Sequence, residues 1–432
     1  MIGAPGSGSG KTMFTLGLAA ALRQNGRRVA PAKAGPDYID TAFLSLAAQR
    51  EAINLDPWAM PVLQIKARAV AHAANADLLL VEGVMGLFDG AANGAGSSAD
   101  LAAMLQVPAI LVVDAAHQSH SIAALVSGFV NWRKDIMIAG IVLNNVGSKR
   151  HETLLRQALR KIDVPVLGAI GRNADLKLPG RHLGLVLPGE IENGREFINK
   201  AAQIVARDCD LDKICDLAAP ITAPIATSRP FKPLAPLGQN IAVARDTAFA
   251  FIYQHWLNDW RDMGASISFF SPLANQGPGK LADAVFLPGG YPELHGEQLA
   301  SATNFFVGLR AALDRGALIY GECGGFMVLG QTLADKKGKT HKMAALLPHQ
   351  TFIDRPRRVL GYRHLRHFSP LPWPKDLSGH EFHYSTGSRH ELTPLFAASD
   401  ALGNELEPMG AVLGRVMGSY AHVIDHKEDE TP

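Results

Sequence analysis

The run from Pro5 to Thr12, Pro-Gly-Ser-Gly-Ser-Gly-Lys-Thr, constrains this chain more than any other stretch, because an apolar helical pattern over 12–25 follows it directly. Small residues let successive backbone N–H groups converge on one point, and the helix behind them adds its positive end, so the run suits phosphate oxygens. In this reading Gly8, Ser9 and Gly10 shape the loop, Lys11 neutralises the β- and γ-phosphates, and the Thr12 hydroxyl faces magnesium. Pro5 stands where the strict eight-residue pattern has its first glycine. The strand feeding such a loop is reduced to Met1 and Ile2, which reads as a frayed edge or a late start.

Apolar strand-like runs at 29–34, 77–82, 109–114, 138–143, 164–170 and 183–187 alternate with helical patterns at 12–25, 62–74, 119–132 and 151–162. That alternation predicts a parallel sheet covered by helices. Ligands collect at the carboxyl ends of such strands, so Glu82, closing 77–82, is the expected magnesium carboxylate. Lys33 on the run 29–34, followed by Asp37, Tyr38 and Asp40, suits metal and carboxylate handling. Taken alone, 36–40 reads equally as a turn with a capping aspartate.

Between 218 and 239 five prolines break the pattern, which predicts an extended linker between a domain at 1–217 and another at 240–426. Beyond it, strands at 241–244, 266–270, 284–287 and 317–320 and a helix at 249–263 predict a second α/β domain. Gly321-Glu322-Cys323-Gly324-Gly325 reads as strand, tight turn and helix, a geometry that exposes a nucleophile. The helix start is expected to lower the Cys323 thiol pKa. The N–H groups of Gly290 and Gly324 are candidate oxyanion donors. His422 is a candidate base, in competition with His380 and His383, and spacing does not choose among them.

With three cysteines in 432 residues, the chain fits no disulfide framework and suits a reducing, cytoplasmic setting. A formal net charge of +2 points to neither nucleic acid nor a membrane surface. No run approaches the ~18 apolar residues of a membrane span.

Taken in order, the loop at 8–12 and the runs at 33–40, 54–58, 81–90, 143–148, 288–293, 321–325, 379–385 and 418–422 resemble the corrin-ring a,c-diamide synthases. These are ATP- and glutamine-dependent ligases of cobalamin biosynthesis, and the resemblance covers nearly the whole chain. It implies an N-terminal P-loop NTPase-like parallel sheet, similar to dethiobiotin synthetase, and a C-terminal triad-type glutamine amidotransferase α/β domain. It implies Cys323 as nucleophile and His422 as its base. Lys33, Asp37, Tyr38 and Asp89 would serve the substrate or activation site, Thr12, Glu82 and Asp40 the metal, and Asn144 the adenine. Mg2+, ATP, glutamine and a corrinoid polycarboxylate are the implied ligands, without nucleic acid or membrane, and a homodimer is the expected assembly. Nickel-sirohydrochlorin a,c-diamide synthase and cobyric acid synthase are related alternatives, and a non-catalytic P-loop switch is disfavoured by the intact Lys11, Thr12, Cys323 and His422. Four positions depart from the pattern: Ile424 replaces the acid usual two residues after the histidine, Thr41 and Leu44 stand where proline and histidine are usual, and Asn145 replaces a frequent arginine.

Overall fold

The computed structural model describes all residues except 174–179, 182–183, 186, 189–193, 222–230, 355, 389–391 and 427–432. It divides into two compact units, Met1–Phe231 and Lys232–Pro432.

In the first unit the chain runs β1 (Ile2–Gly3), α1 (Lys11–Gln24), β2 (Val29–Ala34), α2 (Tyr38–Ala48), β3 (Ile53–Leu55), α3 (Val62–Ala73) and β4 (Leu78–Glu82). It continues through α4 (Ser98–Leu105), β5 (Ala109–Asp114), α5 (Ile122–Trp132), β6 (Ile138–Val146), α6 (Lys149–Leu159), β7 (Val166–Gly171), the short β8 (Gly180–Arg181) and β9 (Gly184–Leu185), then α7 (Gly194–Asp208) and α8 (Leu211–Asp216). Seven strands form a parallel sheet in the order β3-β2-β4-β1-β5-β6-β7. Every residue of β2 is buried, as is all of β5 but its last, because helices cover both faces.

The expected frayed edge is corrected by the pairing. β1 is the central strand, with Ile2 opposite Glu82 on one side and Ile110 on the other. The expected strand at 183–187 is only Gly184–Leu185, paired with Gly180–Arg181, and its residues 183 and 186 lie outside the described set. Of the expected linker, 222–230 also lie outside it, whereas Leu234 and Leu237 are buried and Trp373 Nε1 donates to Ala235 O at 2.8 Å.

The second unit begins β10 (Asn240–Ala244), α9 (Gln254–Asp262), β11 (Ser266–Phe270), β12 (Ala284–Leu287), α10 (Gly296–Ala300), α11 (Thr303–Asp314), β13 (Leu318–Glu322) and α12 (Gly324–Leu329). Short strands follow: β14 (Thr332–Ala334), β15 (Thr340–Lys342), β16 (Gln350–Phe352), β17 (Val359–Arg366), β18 (Asp376–His383), β19 (Thr386–Gly387), β20 (Phe396–Asp400), β21 (Glu405–Met409), β22 (Ala411–Leu413), β23 (Val416–Ser419) and β24 (His422–Asp425). The order β11-β10-β12-β13-β23-β22 builds a six-stranded sheet, parallel up to its last antiparallel pair. An antiparallel sheet, β21-β20-β17-β18-β24, lies beyond it in the chain's path. The chain leaves the first sheet at Ser419 and enters the second at His422, so the two meet at the residues between. The helix expected from 249 starts only at Gln254, because the Phe251 N–H donates to Gly289 O at 3.0 Å and is lost to a helical ladder. Among the described residues no helix is long and apolar enough to cross a membrane.

Helix α1 is buried from Met13 to Leu22 and packs against α7. A Cβ on Gly17 would lie 2.7 Å from both Ala201 O and Val205 Cγ2, closer than real contacts allow. Gly17→Val should therefore cost about 1–3 kcal/mol through overpacking. The check is a lowered urea midpoint with an unchanged slope.

Candidate active sites

The first site forms where the sheet order reverses, at the carboxyl ends of β1, β2, β4 and β6. Gly10 caps α1 with φ 88°, and a Cβ there would sit 2.0 Å from Asn144 Nδ2, so glycine is required on both counts. The Asn144 amide donates to Ser9 O at 3.0 Å, and Ser9 Oγ donates to Gly6 O at 2.8 Å. Asn144, expected at the adenine, clasps the loop from the end of β6. Its neighbour Asn145 adopts φ 57° and donates to Asp114 Oδ1 at 3.0 Å.

Lys33 and Glu82 are cross-strand neighbours on β2 and β4, both buried. Lys33 Nζ reaches Asp40 Oδ2 at 2.5 Å, Glu82 Oε1 at 3.0 Å and Gly83 O at 3.1 Å. Burial works to lower the Lys33 pKa, but Glu82, Asp40 and Asp37 outweigh it and hold the ammonium charged. Lys11 donates to Gly83 O at 2.6 Å with Glu82 Oε1 3.6 Å away, and burial followed by the Lys33 charge pulls its pKa down. Thr12 Oγ1 donates to Glu82 Oε1 at 2.6 Å. Asp37 takes the capping role: its Oδ1 accepts from Ile39 N at 2.8 Å and Asp40 N at 2.9 Å. Burial and the nearby Asp40 push its pKa up to about 6. Tyr38 is buried in the first turn of α2, and Asp89 is exposed on the loop after β4, where Oδ2 accepts from Gly86 N at 2.8 Å.

In the second unit Cys323 sits between β13 and α12 with φ 45° and ψ −105°, a backbone outside the usual regions for an L-residue. Its N–H donates to Ser419 O at 2.8 Å. The expected lowering of the thiol pKa is corrected: burial, then Glu293, Glu322 and Glu381, push it well up, and only the Gly324 backbone bond opposes them. Helix α12 has six residues, too short to reverse that. The thiol therefore rests protonated and needs a base. Cys209, whose thiol burial pushes up to about 12, and Cys215 stand apart, and all three cysteines are free.

A Cβ on Gly324 would lie 3.1 Å from Gly290 N, so the two peptide groups border one small space. His422 borders the same turn, with Cε1 2.4 Å from where a Gly289 Cβ would be. His380 faces His422 across β18 and β24, and the rings stack at 4.9 Å. His383 stacks on Tyr420 at 4.8 Å and contacts Glu381 Oε1 at 3.2 Å and Ser385 Oγ at 3.0 Å. Tyr420, whose pKa rises through burial, also feels the Cys323 charge, which puts the His383 side of the site within electrostatic reach of the sulfur.

Residues 1–186 match the CobQ/CobB/MinD/ParA nucleotide binding domain, and 240–429 match the CobB/CobQ-like glutamine amidotransferase domain. Among curated relatives, hydrogenobyrinate a,c-diamide synthase of Brucella anthropi is 50% identical over 98% of both chains. The same enzyme is 49% identical in Rhizobium meliloti over 99% of both chains, and 45% identical in Rhodobacter capsulatus over 98% of both. The chain belongs to the hydrogenobyrinate a,c-diamide synthase family. It is an amide-forming ligase with a nucleotide-binding and a glutamine amidotransferase domain.

This synthase family's nucleotide-binding domain implies Mg2+, and the first site fits it. Glu82 Oε2 and Asp40 Oδ1 are buried without a hydrogen-bond partner, beside the Thr12 hydroxyl. Two features of this diamide synthase relative had no local sequence signal, the Asn144 clasp and the place of Glu322 beside His422; only sheet pairing reveals them.

Removing the Lys33 charge leaves Asp40 buried without its cation and Glu82 with Lys11 and Thr12 alone. Lys33→Met should cost about 3–5 kcal/mol near neutral pH. Part of this should return as pH falls, because protonating the stranded carboxylates removes the penalty. Urea titrations of variant and wild type at two pH values give the comparison.

Proposed function

We propose that this chain amidates the a and c side-chain carboxylates of hydrogenobyrinate during cobalamin biosynthesis, using ATP and ammonia released from glutamine. The observation that carries this reading is the presence on one chain of a Lys11–Thr12–Glu82–Lys33 cluster behind a phosphate loop and a buried Cys323 elbow beside His422. The name carried by full-length relatives at 45–50% identity favours the metal-free macrocycle over its cobalt- or nickel-bearing counterparts.

At the first site a substrate carboxylate oxygen attacks the γ-phosphorus of ATP, ADP leaves, and an acyl phosphate forms. Ammonia then attacks the acyl carbon and phosphate departs. Lys11 and the loop N–H groups hold the phosphates, Lys33 offers a fixed positive charge, and Thr12 with Glu82 and Asp40 would hold Mg2+. Bound there, Mg2+ spreads the charge that develops on the transferring phosphoryl group. At the second site Cys323 attacks the amide carbon of glutamine, with Gly290 and Gly324 N–H groups facing the developing oxyanion and His422 taking the thiol proton. Water then releases glutamate from the thioester.

The two chemistries separate experimentally. Cys323→Ser should abolish glutamine-driven amidation of hydrogenobyrinate and leave synthesis from high ammonia. Lys11→Ala should lower both by at least about 10²-fold, since a charge on the transferring phosphate is lost. Product formation is followed with each nitrogen source and with metal-free, cobalt- and nickel-bearing substrates. Equal loss with both sources in a folded Cys323→Ser protein, or no turnover of any macrocycle by the wild type, overturns the reading.

A further inference from the structure

A histidine that activates a thiol needs a partner for its second ring nitrogen, and the strand carrying His422 offers none at the usual place: Ile424, two residues on, is fully buried and apolar. We propose that Glu322, the residue immediately before the nucleophile, is the positioning residue that fixes the orientation and tautomer of His422. This rests on the glutamine-hydrolysing role given to Cys323 above.

Glu322 closes β13 and is buried. Its Oε1 accepts from Tyr320 Oη at 2.9 Å and from Val423 N at 3.0 Å, and its Oε2 lies 3.7 Å from His422 Nδ1. One carboxylate thus grips the main chain of β24 and faces the ring mounted one residue earlier. Two nearby acids are engaged elsewhere: Glu381 bonds Arg363 Nε at 2.7 Å and His383 Nε2 at 3.2 Å, while Asp425 faces His255 and His426. Beside His422 stand Glu322 from β13 and the stacked His380 from β18, and Glu293 acts on the neighbouring Cys323 thiol. Burial, then the charges of His422 and Arg363, hold His380 well below the usual histidine range, so it brings no competing cation.

A carboxylate facing Nδ1 keeps the proton on that nitrogen and leaves the Nε2 lone pair to act. The Cys323 proton passes to Nε2, the sulfur pair bonds the amide carbon, and the carbonyl π pair moves onto oxygen. On collapse the C–N bond breaks and the Nε2 proton leaves with nitrogen as ammonia, giving the thioester and neutral His422. Glu322 faces the transient imidazolium and stabilises it.

The hydrogen bonds make E322Q a sharp test. Val423 N can only donate, so the amide oxygen must take the Oε1 place and the NH2 group must face Nδ1. A donor there drives the ring proton to Nε2, which then cannot accept from sulfur. In the full chain, E322Q should lower kcat for glutamine hydrolysis by about 10³–10⁴-fold, by analogy with a carboxylate-to-amide change in serine proteases. KM for glutamine and ammonia-driven amidation should stay within about twofold, readouts that a merely structural role would not spare. As a second measurement, ring-nitrogen NMR of ¹⁵N-histidine wild type, with His422 assigned by its loss in H422Q, should show Nδ1 protonated and Nε2 bare near neutral pH. The proposal is overturned by E322Q with kcat within about threefold of wild type, or by a wild-type His422 carrying its proton on Nε2. If E322Q does not fold, the wild-type spectrum decides alone. A wild type that hydrolyses no glutamine strikes the functional reading, and the same spectrum still decides the place of Glu322.

Discussion

In each unit a fully buried carboxylate sits at the last residue of an inner parallel strand, Glu82 on β4 and Glu322 on β13. Leaving either unpaired would cost several kcal/mol, so neighbouring elements must deliver donors to it. Around Glu82 these are Lys33 from β2, Lys11 and Thr12 from the start of α1. Around Glu322 they are Tyr320 and the Val423 N–H, with the His422 ring 3.7 Å away. The register of the sheets follows from this demand as much as from apolar packing. Lys33 stands directly opposite Glu82, and Glu322 directly opposite Ser419, three residues before His422.

How much of this was legible in the sequence depends on the range of the interaction. The strands Val29–Ala34, Ala109–Asp114 and Ala284–Leu287 stand at their expected bounds, because an apolar run buried on both faces carries its own signal, and the exposed edge strand Ser266–Phe270 stands at its bounds as well. Helix α2 went unread because its start is an aspartate turn whose meaning depends on packing. The strands β14, β15, β16, β19, β21 and β22 are short and carry mixed sequences that resemble loops. Phe251 had helical surroundings and a tertiary partner, Gly289, that overrode them. In the sites, residue types were readable but partnerships were not. Lys33 and Glu82 are 49 positions apart, and no spacing rule connects them.

The chemical demands on the two sites differ in a way the burial pattern reflects. At the first, the cations Lys11 and Lys33 balance Glu82 and Asp40, leaving two carboxylate oxygens without protein donors. At the second, burial first and then three nearby acids push the thiol pKa up. Neutral sulfur resists adventitious oxidation and alkylation, and its activation must come with the base, when a substrate amide is in place.

The Asn144 clasp on Ser9 joins residues 135 positions apart. Contacts of that separation form late relative to local ones, because a long loop must first be closed. During synthesis, the segment 5–12 leaves the ribosome with its helix but without the strand that secures its curvature. A nascent chain shorter than β6 thus has the phosphate-binding residues without their finished shape, and nucleotide capture becomes a property of the completed sheet.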